Sequence, residues 1–381
     1  MDKVTWGASQ AITSLLFFLI QLSFLKSPDL LLMALFSTLF GLMNFCLLAI
    51  RRSLIEVNKF ENCTPGIVFS VAISFVFCLF CIPISILIGI DFLILFCMTL
   101  FLFNQLVLDT WRFSGSQSHN WYIGAQAFSA VLTVCLSLTN LSASQIVLII
   151  SLFQFVLCMF STLREKRVIL NLRSSLALFN LTRFVDFTIY SGFGFFLPLL
   201  TFIFLNANAV GALRTSQNIL TLGSIFTSAF YYSTIMGQDV KKIPKLLYIV
   251  PSLILFGLLF VLIALVPPSF VEQIFGPFFY ESIPLTILLI VALVPTIWVS
   301  TMNAVLVNSK DFRFLFKMHS ISLMFLSVGS SAGFFFFGVE AYGFFAIFCV
   351  MLEAFWIVRF LNPHHGQEIK GYNSRTTSKK K

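Results

Sequence analysis

The chain has 381 residues, of which 59% are hydrophobic and only 10% are charged. A soluble domain carries about 25% charged residues, so this composition excludes an ordinary soluble protein. The formal net charge of +9 would suit a surface that binds nucleic acid, but the placement of the basic residues explains it differently, and we expect no nucleic-acid partner.

Twelve long apolar runs divide the chain. Each is close to the length of about 17–25 residues that a helix needs to cross the hydrocarbon of a bilayer. One outer connection, at residues 267–284, is longer than the others and has room for a small surface helix. The runs predict transmembrane helices at residues 8–26, 30–50, 66–88, 90–108, 121–140, 143–163, 184–205, 208–235, 246–267, 283–305, 316–338 and 341–361.

The basic residues fall on alternate connections between these runs. With the N-terminus in the cytoplasm, all 24 Lys and Arg residues lie on the inner side except Lys26, in an outer loop, and Arg214, within a span. An excess of Lys and Arg in cytoplasmic loops sets the orientation of membrane proteins. A wrong number of spans would scramble this alternation, so the sequence predicts an all-α polytopic membrane protein with both termini in the cytoplasm.

The longest inner connection divides the spans into two sets of six. We therefore predict lobes at residues 1–173 and 174–361, followed by a basic cytoplasmic tail at 362–381. A weak internal similarity relates the halves, since Phe17–Leu19 and Phe195–Leu197 both read FFL. Six spans per half give both halves the same orientation, and transporters built from such parallel repeats bind their substrate between the halves.

Polar residues follow one face of the predicted eighth span at steps of three and four. Because lipid-facing positions are apolar, such a stripe predicts a bundle interior or a water-filled cavity, and we assign substrate binding to it. Its arginine is open to three interpretations: a cavity cation awaiting an anionic group, a side chain that snorkels to the outer interface, or one half of a structural ion pair. Gln10 and Thr13 form a shorter stripe in the first span. The eighth-span stripe contains Arg214, Gln217, Asn218, Thr221, Ser224 and Ser228.

Acidic groups that could couple transport to a cation are scarce within the spans. Arg183 and Asp186 are three residues apart at the start of the seventh span, which fits either an i,i+3 pair at the cytoplasmic edge or a coupling site. Glu353 lies in the last span. It is either a coupling group or the partner of another group in the bundle near Arg359.

Two further candidate pairs lie at the predicted inner face. Asp109 and Arg112 follow the fourth span, and Arg51 and Glu56 follow the second. We interpret them either as pairs that latch or position the lobes, or as solvated pairs that contribute under about 1 kcal/mol each.

Catalytic and cofactor motifs are missing from the sequence. It contains no phosphate-binding loop, which excludes an ATP site of its own. The four histidines lie at or beyond the predicted cytoplasmic ends and form no metal-binding set. We therefore expect no cofactor, no metal and no enzymatic activity.

Three short segments resemble parts of a known transporter family. They are GALRTSQNIL at Gly211–Leu220, LDTWR at Leu108–Arg112 and RRSLIE at Arg51–Glu56. The chain resembles bacterial polysaccharide flippases, the O-antigen-type exporters of the multidrug/oligosaccharidyl-lipid/polysaccharide (MOP) superfamily, and is most like those of actinobacteria.

This resemblance implies two six-helix lobes around a central cavity lined by spans one, two, seven and eight. The lobes would rock to give alternating access, and a polyprenyl-diphosphate-linked oligosaccharide or polysaccharide precursor would cross the bacterial cytoplasmic membrane. The guanidinium of Arg214 suits a diphosphate because its fork makes bidentate hydrogen bonds. Gln217, Asn218 and Thr221 could then bind sugar hydroxyls.

The expected partners are the glycan substrate, the lipid bilayer and membrane enzymes of polysaccharide assembly, with the protein itself a monomer. Three alternatives remain open. A cation-coupled small-molecule or drug exporter of the same fold would need Asp186 or Glu353 to titrate. A membrane glycan polymerase or ligase would need a larger outer loop with catalytic groups, and a major-facilitator transporter would carry a different basic motif after span two.

Overall fold

The computed structural model describes residues 3–25, 30–56, 67–88, 92–113, 116–139, 141–164, 179–235 and 244–361. Within these ranges the chain forms thirteen α-helices and no β-strand. The first half contains α1 (Lys3–Leu25), α2 (Leu30–Ile50), α3 (Ile67–Ile88), α4 (Phe92–Phe113), α5 (Ser116–Ser137) and α6 (Ala143–Arg164). The second half contains α7 (Leu181–Phe204), α8 (Ala207–Ile235), α9 (Val250–Ala264), α10 (Pro268–Phe275), α11 (Phe279–Ser309), α12 (Phe312–Phe337) and α13 (Glu340–Leu361).

Two short helical segments extend this set. A π-helical segment, Arg51–Glu56, continues α2 beyond its apolar part, and a 3₁₀ turn, Lys245–Tyr248, precedes α9. The π-helical segment matters most for function, because it carries the paired arginines that follow the second span.

The helices confirm the predicted all-α class. Leaving out α10, twelve helices follow the twelve predicted spans in order, and α10 is the small surface helix expected within residues 267–284. Helix ends are less well predicted: α1 begins at Lys3 rather than residue 8, and α5 at Ser116 rather than residue 121. Helical hydrogen bonding continues into polar residues at the membrane interface, where hydropathy gives no signal.

Several helices have the dimensions of membrane spans. By length and composition, five helices of the described ranges could each cross a bilayer, with spanning segments at Phe92–Asp109, Ala143–Phe160, Phe279–Ser309, Phe312–Phe337 and Glu340–Leu361. Large apolar side chains such as Phe75, Phe160 and Phe336 lie on the outside of the helix bundle. In a bilayer they would face lipid, and the chain is a multi-pass membrane protein.

The same pattern of helix packing occurs in both halves. In the first half α4 packs against α2, α3, α5 and α6, while α1 packs against α5. In the second half α11 packs against α8, α9, α12 and α13, while α7 packs against α12. These sets correspond at an offset of six spans, with α10 as an insertion. The predicted boundary near residue 173 lies outside the described residues, so the two lobes stay a prediction that this pattern supports.

The halves meet mainly through four helices. The principal contacts between them join α1 to α8 and α2 to both α7 and α8, and α10 also touches α1. These four central helices are spans one, two, seven and eight, the set that the resemblance places around a cavity. Any substrate path between the halves must therefore pass side chains of α1, α2, α7 and α8.

Glycine allows α13 to approach α11 closely. A Cβ atom added at Gly343 would lie 2.8 Å from Cβ of Leu288 and 3.1 Å from Cδ1 of Leu285. Small residues at helix interfaces let backbones approach in membranes, where no hydrophobic force drives the helices together. Gly257 on α9 differs, because an added Cβ would have no atom within 4 Å.

We expect Gly343→Ala to destabilise the protein by about 1–3 kcal/mol, because the new methyl group would push α11 and α13 apart. Gly257→Ala is the matched control and should leave stability unchanged or slightly raised, since alanine is the better helix former. The measurement is the midpoint of thermal unfolding of the purified protein in detergent. Equal midpoints for the two variants would contradict the close packing at Gly343.

Candidate functional site

One face of α8 is fixed against α11 in its own half. The Ser216 hydroxyl donates to the backbone oxygen of Ser282 at 3.1 Å, and the Thr286 hydroxyl donates to Ser216 Oγ at 3.0 Å. Two turns further along, a Cβ at Gly223 would lie 2.7 Å from a methyl carbon of Leu293. These contacts define the side of α8 that belongs to the core of the second half.

The polar stripe of α8 lies on the opposite side. At about 100° per residue, Arg214 is about 160° around the helix from Ser216. Tyr232 follows Arg214 by 18 residues, which is about five full turns, so it shares the face of Arg214. Tyr232 lies within electrostatic range of Arg51, on the first half. The stripe therefore faces the first half, where a cavity between the lobes would lie.

The Arg214 side chain is buried within this stripe. Only 9% of the residue is exposed, and its Nη1 donates to Oε1 of Gln217 at 2.9 Å. The Thr221 hydroxyl donates to the backbone oxygen of Gln217 at 2.9 Å, and Asn218 is also buried. A snorkelling arginine would expose its charged end, so this burial argues against snorkelling and leaves the cavity cation and the structural ion pair as interpretations of Arg214.

Thr13 is bonded within the first half. Its hydroxyl lies 2.5 Å from the hydroxyl of Tyr122 on α5. Its predicted part in substrate binding beside the Arg214 stripe stays a prediction.

Two of the predicted inner-face residues, one from each expected pair, bond to each other. Arg51 bonds to Asp109 on α4 through three hydrogen bonds of 2.7–3.0 Å between its guanidinium and both carboxylate oxygens. Both residues are buried, so they are not a solvated pair. Removing one partner of a buried pair costs about 3–5 kcal/mol, because the other charge is left uncompensated. This pair joins α2 to α4 inside the first half.

Three predicted site residues have side chains outside the described part of the structure. They are Gln10, Glu56 and Arg112. Their predicted parts in substrate binding and in inner-face pairing stay predictions. Asp109, which we paired with Arg112 from the sequence, uses both carboxylate oxygens for Arg51.

An uncharged polar network fills the interior of the first half. The Gln126 amide donates to Gln105 at 2.8 Å, Gln105 donates to Gln154 at 3.0 Å, and Gln154 donates to the Ser129 hydroxyl at 3.0 Å. All four are fully buried, and they join α4, α5 and α6. The sequence reasoning missed this network, although a glutamine within an apolar run was a usable signal.

The second half buries an ionisable cluster instead. Asp186 on α7 accepts from Nη1 of Arg183, and its other carboxylate oxygen lies 2.7 Å from Nδ1 of His319 on α12. Nε2 of His319 lies 3.3 Å from the amide nitrogen of Asn303 on α11. The i,i+3 pair predicted for Arg183 and Asp186 is present, but His319 extends it into a network across three helices.

Glu353 completes this cluster from α13. It is 3% exposed, and it lies within electrostatic reach of both His319 and Asp186. Its Oε2 atom is buried and has no hydrogen-bond partner among the described residues. Arg359, the neighbour we considered from the sequence, is instead exposed. Within the described ranges no group of His, Cys, Asp and Glu is arranged to hold a metal ion.

His319 is the residue that sequence reasoning failed to assign. It lies in the third turn of α12, near the predicted cytoplasmic end, and the sequence suggested a surface position. Its contact with Asp186 spans 133 residues of chain, and nothing local indicates such a pairing. Histidine commonly takes part in proton transfer in proteins, so its burial beside Asp186 makes this cluster a candidate functional site.

Arg52 joins the two halves at the predicted inner end. Its guanidinium carbon lies 4.7 Å from the ring centre of Phe187 on α7 and 4.6 Å from that of Tyr231 on α8. Both distances are within the range of about 6 Å for cation–π attraction. Phe45 on α2 also stacks on Phe187, with ring centres 6.0 Å apart. The arginine and the two rings that hold it are called the inner latch below.

Comparison with solved structures supports the fold, whereas comparison of sequences identifies no family. No family model matches the chain, and no curated protein matches it significantly. Solved structures do match. One is an inward-facing multidrug resistance MATE transporter of the MOP superfamily, with a TM-score of 0.63, 13% identity and coverage of 98% of this chain and 99% of that one.

Two further structures give the same result. A MOP superfamily transporter from Pyrococcus furiosus, described as having a binding pocket of reverse polarity, has a TM-score of 0.57 and 15% identity, with 95% of each chain covered. The eukaryotic MATE transporter AtDTX14 has a TM-score of 0.59 and 15% identity, with 96% of each chain covered. The chain therefore has the fold of MOP superfamily transporters, the superfamily that its sequence motifs resemble.

Proposed function

We propose that this protein is a secondary transporter that exports an anionic substrate across the bacterial cytoplasmic membrane by alternating access, with both termini in the cytoplasm. The observation that carries this proposal is the buried Arg214 stripe on α8, directed at the first half in a fold whose solved neighbours are transporters. An anionic group of the substrate would lower the cost of burying the Arg214 charge within a membrane-spanning helix.

The substrate class follows from the chemistry of the stripe. A guanidinium binds phosphate oxygens through bidentate, charge-assisted hydrogen bonds, and the adjacent amides and hydroxyl of Gln217, Asn218 and Thr221 suit sugar hydroxyls. A polyprenyl-diphosphate-linked oligosaccharide or polysaccharide precursor presents both groups. The motifs that resemble polysaccharide flippases favour the same class, and membrane enzymes of polysaccharide assembly would then supply and consume it.

The description of one neighbour supports a change of polarity in the binding pocket of this fold. The Pyrococcus furiosus transporter is described as a MOP superfamily member whose binding pocket has reverse polarity and a suggested different function. A change of polarity in the pocket is therefore compatible with the shared fold. By analogy, Arg214 would select an anion where an acidic residue would select a cation.

We expect Arg214→Ala to reduce glycan export at least about tenfold, because a hydrogen bond to a charged group contributes about 1.5–3 kcal/mol. Arg214→Lys should retain part of the export, since lysine keeps the charge but not the bidentate fork. The measurement is the lipid-linked glycan pool, with its leaflet assigned by a membrane-impermeant probe. Glycan should accumulate in the inner leaflet of cells that carry the alanine variant.

The matched control is Arg359→Ala, which removes an exposed arginine of α13 and should leave export unchanged. All three variants must be present in the membrane at wild-type amounts. Normal glycan export by Arg214→Ala would remove Arg214 from substrate binding and leave the flippase proposal without its main support.

A second function is favoured by a specific observation in the other half. The buried cluster of Asp186, His319 and Glu353 is the kind of ionisable set that marks proton relays in membrane transporters. A proton-coupled exporter of small molecules would use this cluster in the same fold. In a flippase the same groups would couple transport to the proton gradient. The two functions therefore differ in substrate and not in architecture.

We expect Asp186→Asn and Glu353→Gln each to abolish the dependence of transport on the proton gradient, because an amide keeps the shape but cannot take up the proton. Glu272→Gln, on the exposed surface of α10, is the control and should behave as wild type. The measurement is export from inverted vesicles with and without an imposed proton gradient. If both cluster variants keep a full response to the gradient, coupling through this cluster is wrong.

A further inference from the structure

The inner latch connects segments that belong to different halves. Arg52 lies in the π-helical extension of α2, whereas Phe187 and Tyr231 lie on α7 and α8. The guanidinium carbon lies over both rings at nearly equal distances, 4.7 and 4.6 Å from their centres. Separating the halves at this end requires the arginine to leave both rings.

Two neighbouring contacts show that this region is built for contact between the halves. The rings of Phe45 and Phe187 are stacked, with an angle of 12° between their planes. The backbone N–H of Asn180, the N-cap residue of α7, donates to the backbone oxygen of Ser53 at 3.1 Å. The latch is thus part of a continuous contact of α2 and its π-helical extension with α7 and α8.

Arg183 connects the latch to the ionisable cluster of the second half. Its Nη2 donates to the Tyr231 hydroxyl at 3.1 Å, while its Nη1 donates to Asp186. Phe187, the other ring of the latch, follows Asp186 directly in the chain. A change of charge at Asp186 therefore acts on both rings, on Tyr231 through Arg183 and on Phe187 through the backbone of α7.

We propose that Arg52 is the gating residue of the inner end, and that Arg183 transmits the charge state of Asp186 to the two rings that hold it. With Asp186 ionised, Arg183 is held in place, Tyr231 is fixed and the inner end is closed. When Asp186 loses its charge, Arg183 and Tyr231 loosen, Arg52 leaves the rings and the halves separate. The role in transport rests on the proposed function, but the latch does not.

The groups that face Asp186 come from every helix packed around it. Arg183 lies on the same helix, His319 approaches from α12, and Glu353 from α13. Tyr231 of α8 contacts Arg183, and Arg52 reaches the adjacent ring from the first half. The charge of the latch itself is constant, because an arginine stays protonated, so the variable charge lies in the second half.

The latch can be tested by the accessibility of a reporter cysteine. Ser228→Cys places a small thiol on the face of the stripe, between Arg214 and the latch. Membrane vesicles that contain the full chain are treated with a membrane-impermeant maleimide from either face, and labelling is quantified for the peptide that carries residue 228, so native cysteines do not interfere. We expect Arg52→Gln to raise the labelling rate from the cytoplasmic face about tenfold, because two cation–π contacts are lost.

Three further variants test the mechanism of closure. Arg52→Lys keeps a cation over the rings and should label within about threefold of wild type. Phe187→Leu removes one ring and should raise labelling even if Arg52→Gln fails to accumulate in the membrane. Arg359→Gln removes an exposed arginine and should have no effect. If neither Arg52→Gln nor Phe187→Leu changes the labelling rate from either face, the latch proposal is overturned.

The connection to Asp186 needs a double-variant test. Asp186→Asn should raise labelling in the wild-type background. Tyr231→Phe keeps the ring but removes the hydroxyl that accepts from Arg183, so adding Asp186→Asn to Tyr231→Phe should change labelling much less. Interaction energies between contacting residues are measured by such cycles. Equal effects of Asp186→Asn in both backgrounds would remove Arg183 and Tyr231 from the connection.

This readout separates the latch from the proposed function, because labelling needs no substrate. If the latch variants label at the wild-type rate while the tests of glycan export give the expected results, the latch alone is rejected. Latch-dependent labelling with no effect on glycan or small-molecule export would reject the proposed function alone.

Discussion

A charge inside the hydrocarbon of a bilayer costs at least about 2.5–3.5 kcal/mol, and a nearby partner of opposite charge lowers this cost. The interior of this protein follows from that constraint. Arg51 bonds to Asp109 in the first half, and Arg183, Asp186 and His319 bond in the second. Because Asp109 and His319 lie on different helices from their partners, satisfying the charges also fixes α2 against α4 and α7 against α12.

The two halves share one packing scheme but differ in their polar interiors. The first half contains a fixed ion pair and a network of glutamines, which have no charge to gain or lose. The second half contains His319 and Glu353 beside Asp186. The two halves therefore differ in the chemistry of their buried polar groups, with amides beside one ion pair in the first and a cluster of ionisable side chains in the second.

Hydropathy predicted the all-helical class, the number of long helices and the surface helix α10, because each depends on a local pattern. The stripe of Arg214 was equally readable, since its spacing follows the helical period. The pairs were not. Arg51 and Asp109 are 58 residues apart, and His319 and Asp186 are 133 apart, so only the packing of the helices brings them together. Nothing in the sequence distinguishes a solvated pair from a buried one. Only the burial seen in the structure shows that Arg51 and Asp109 form a buried pair.

The short helix α10 has a mechanical consequence. It belongs to the second half but touches α1 of the first, and Val271 and Phe275 share an apolar cluster with Phe18. Dispersion contacts of this kind have no preferred direction and tolerate small rotations. The inner latch differs, because its arginine must stay over two aromatic rings. A pivot at this outer contact is therefore compatible with the proposed opening of the inner end. The displacement of the halves would then grow with distance from Phe18 toward the cytoplasm.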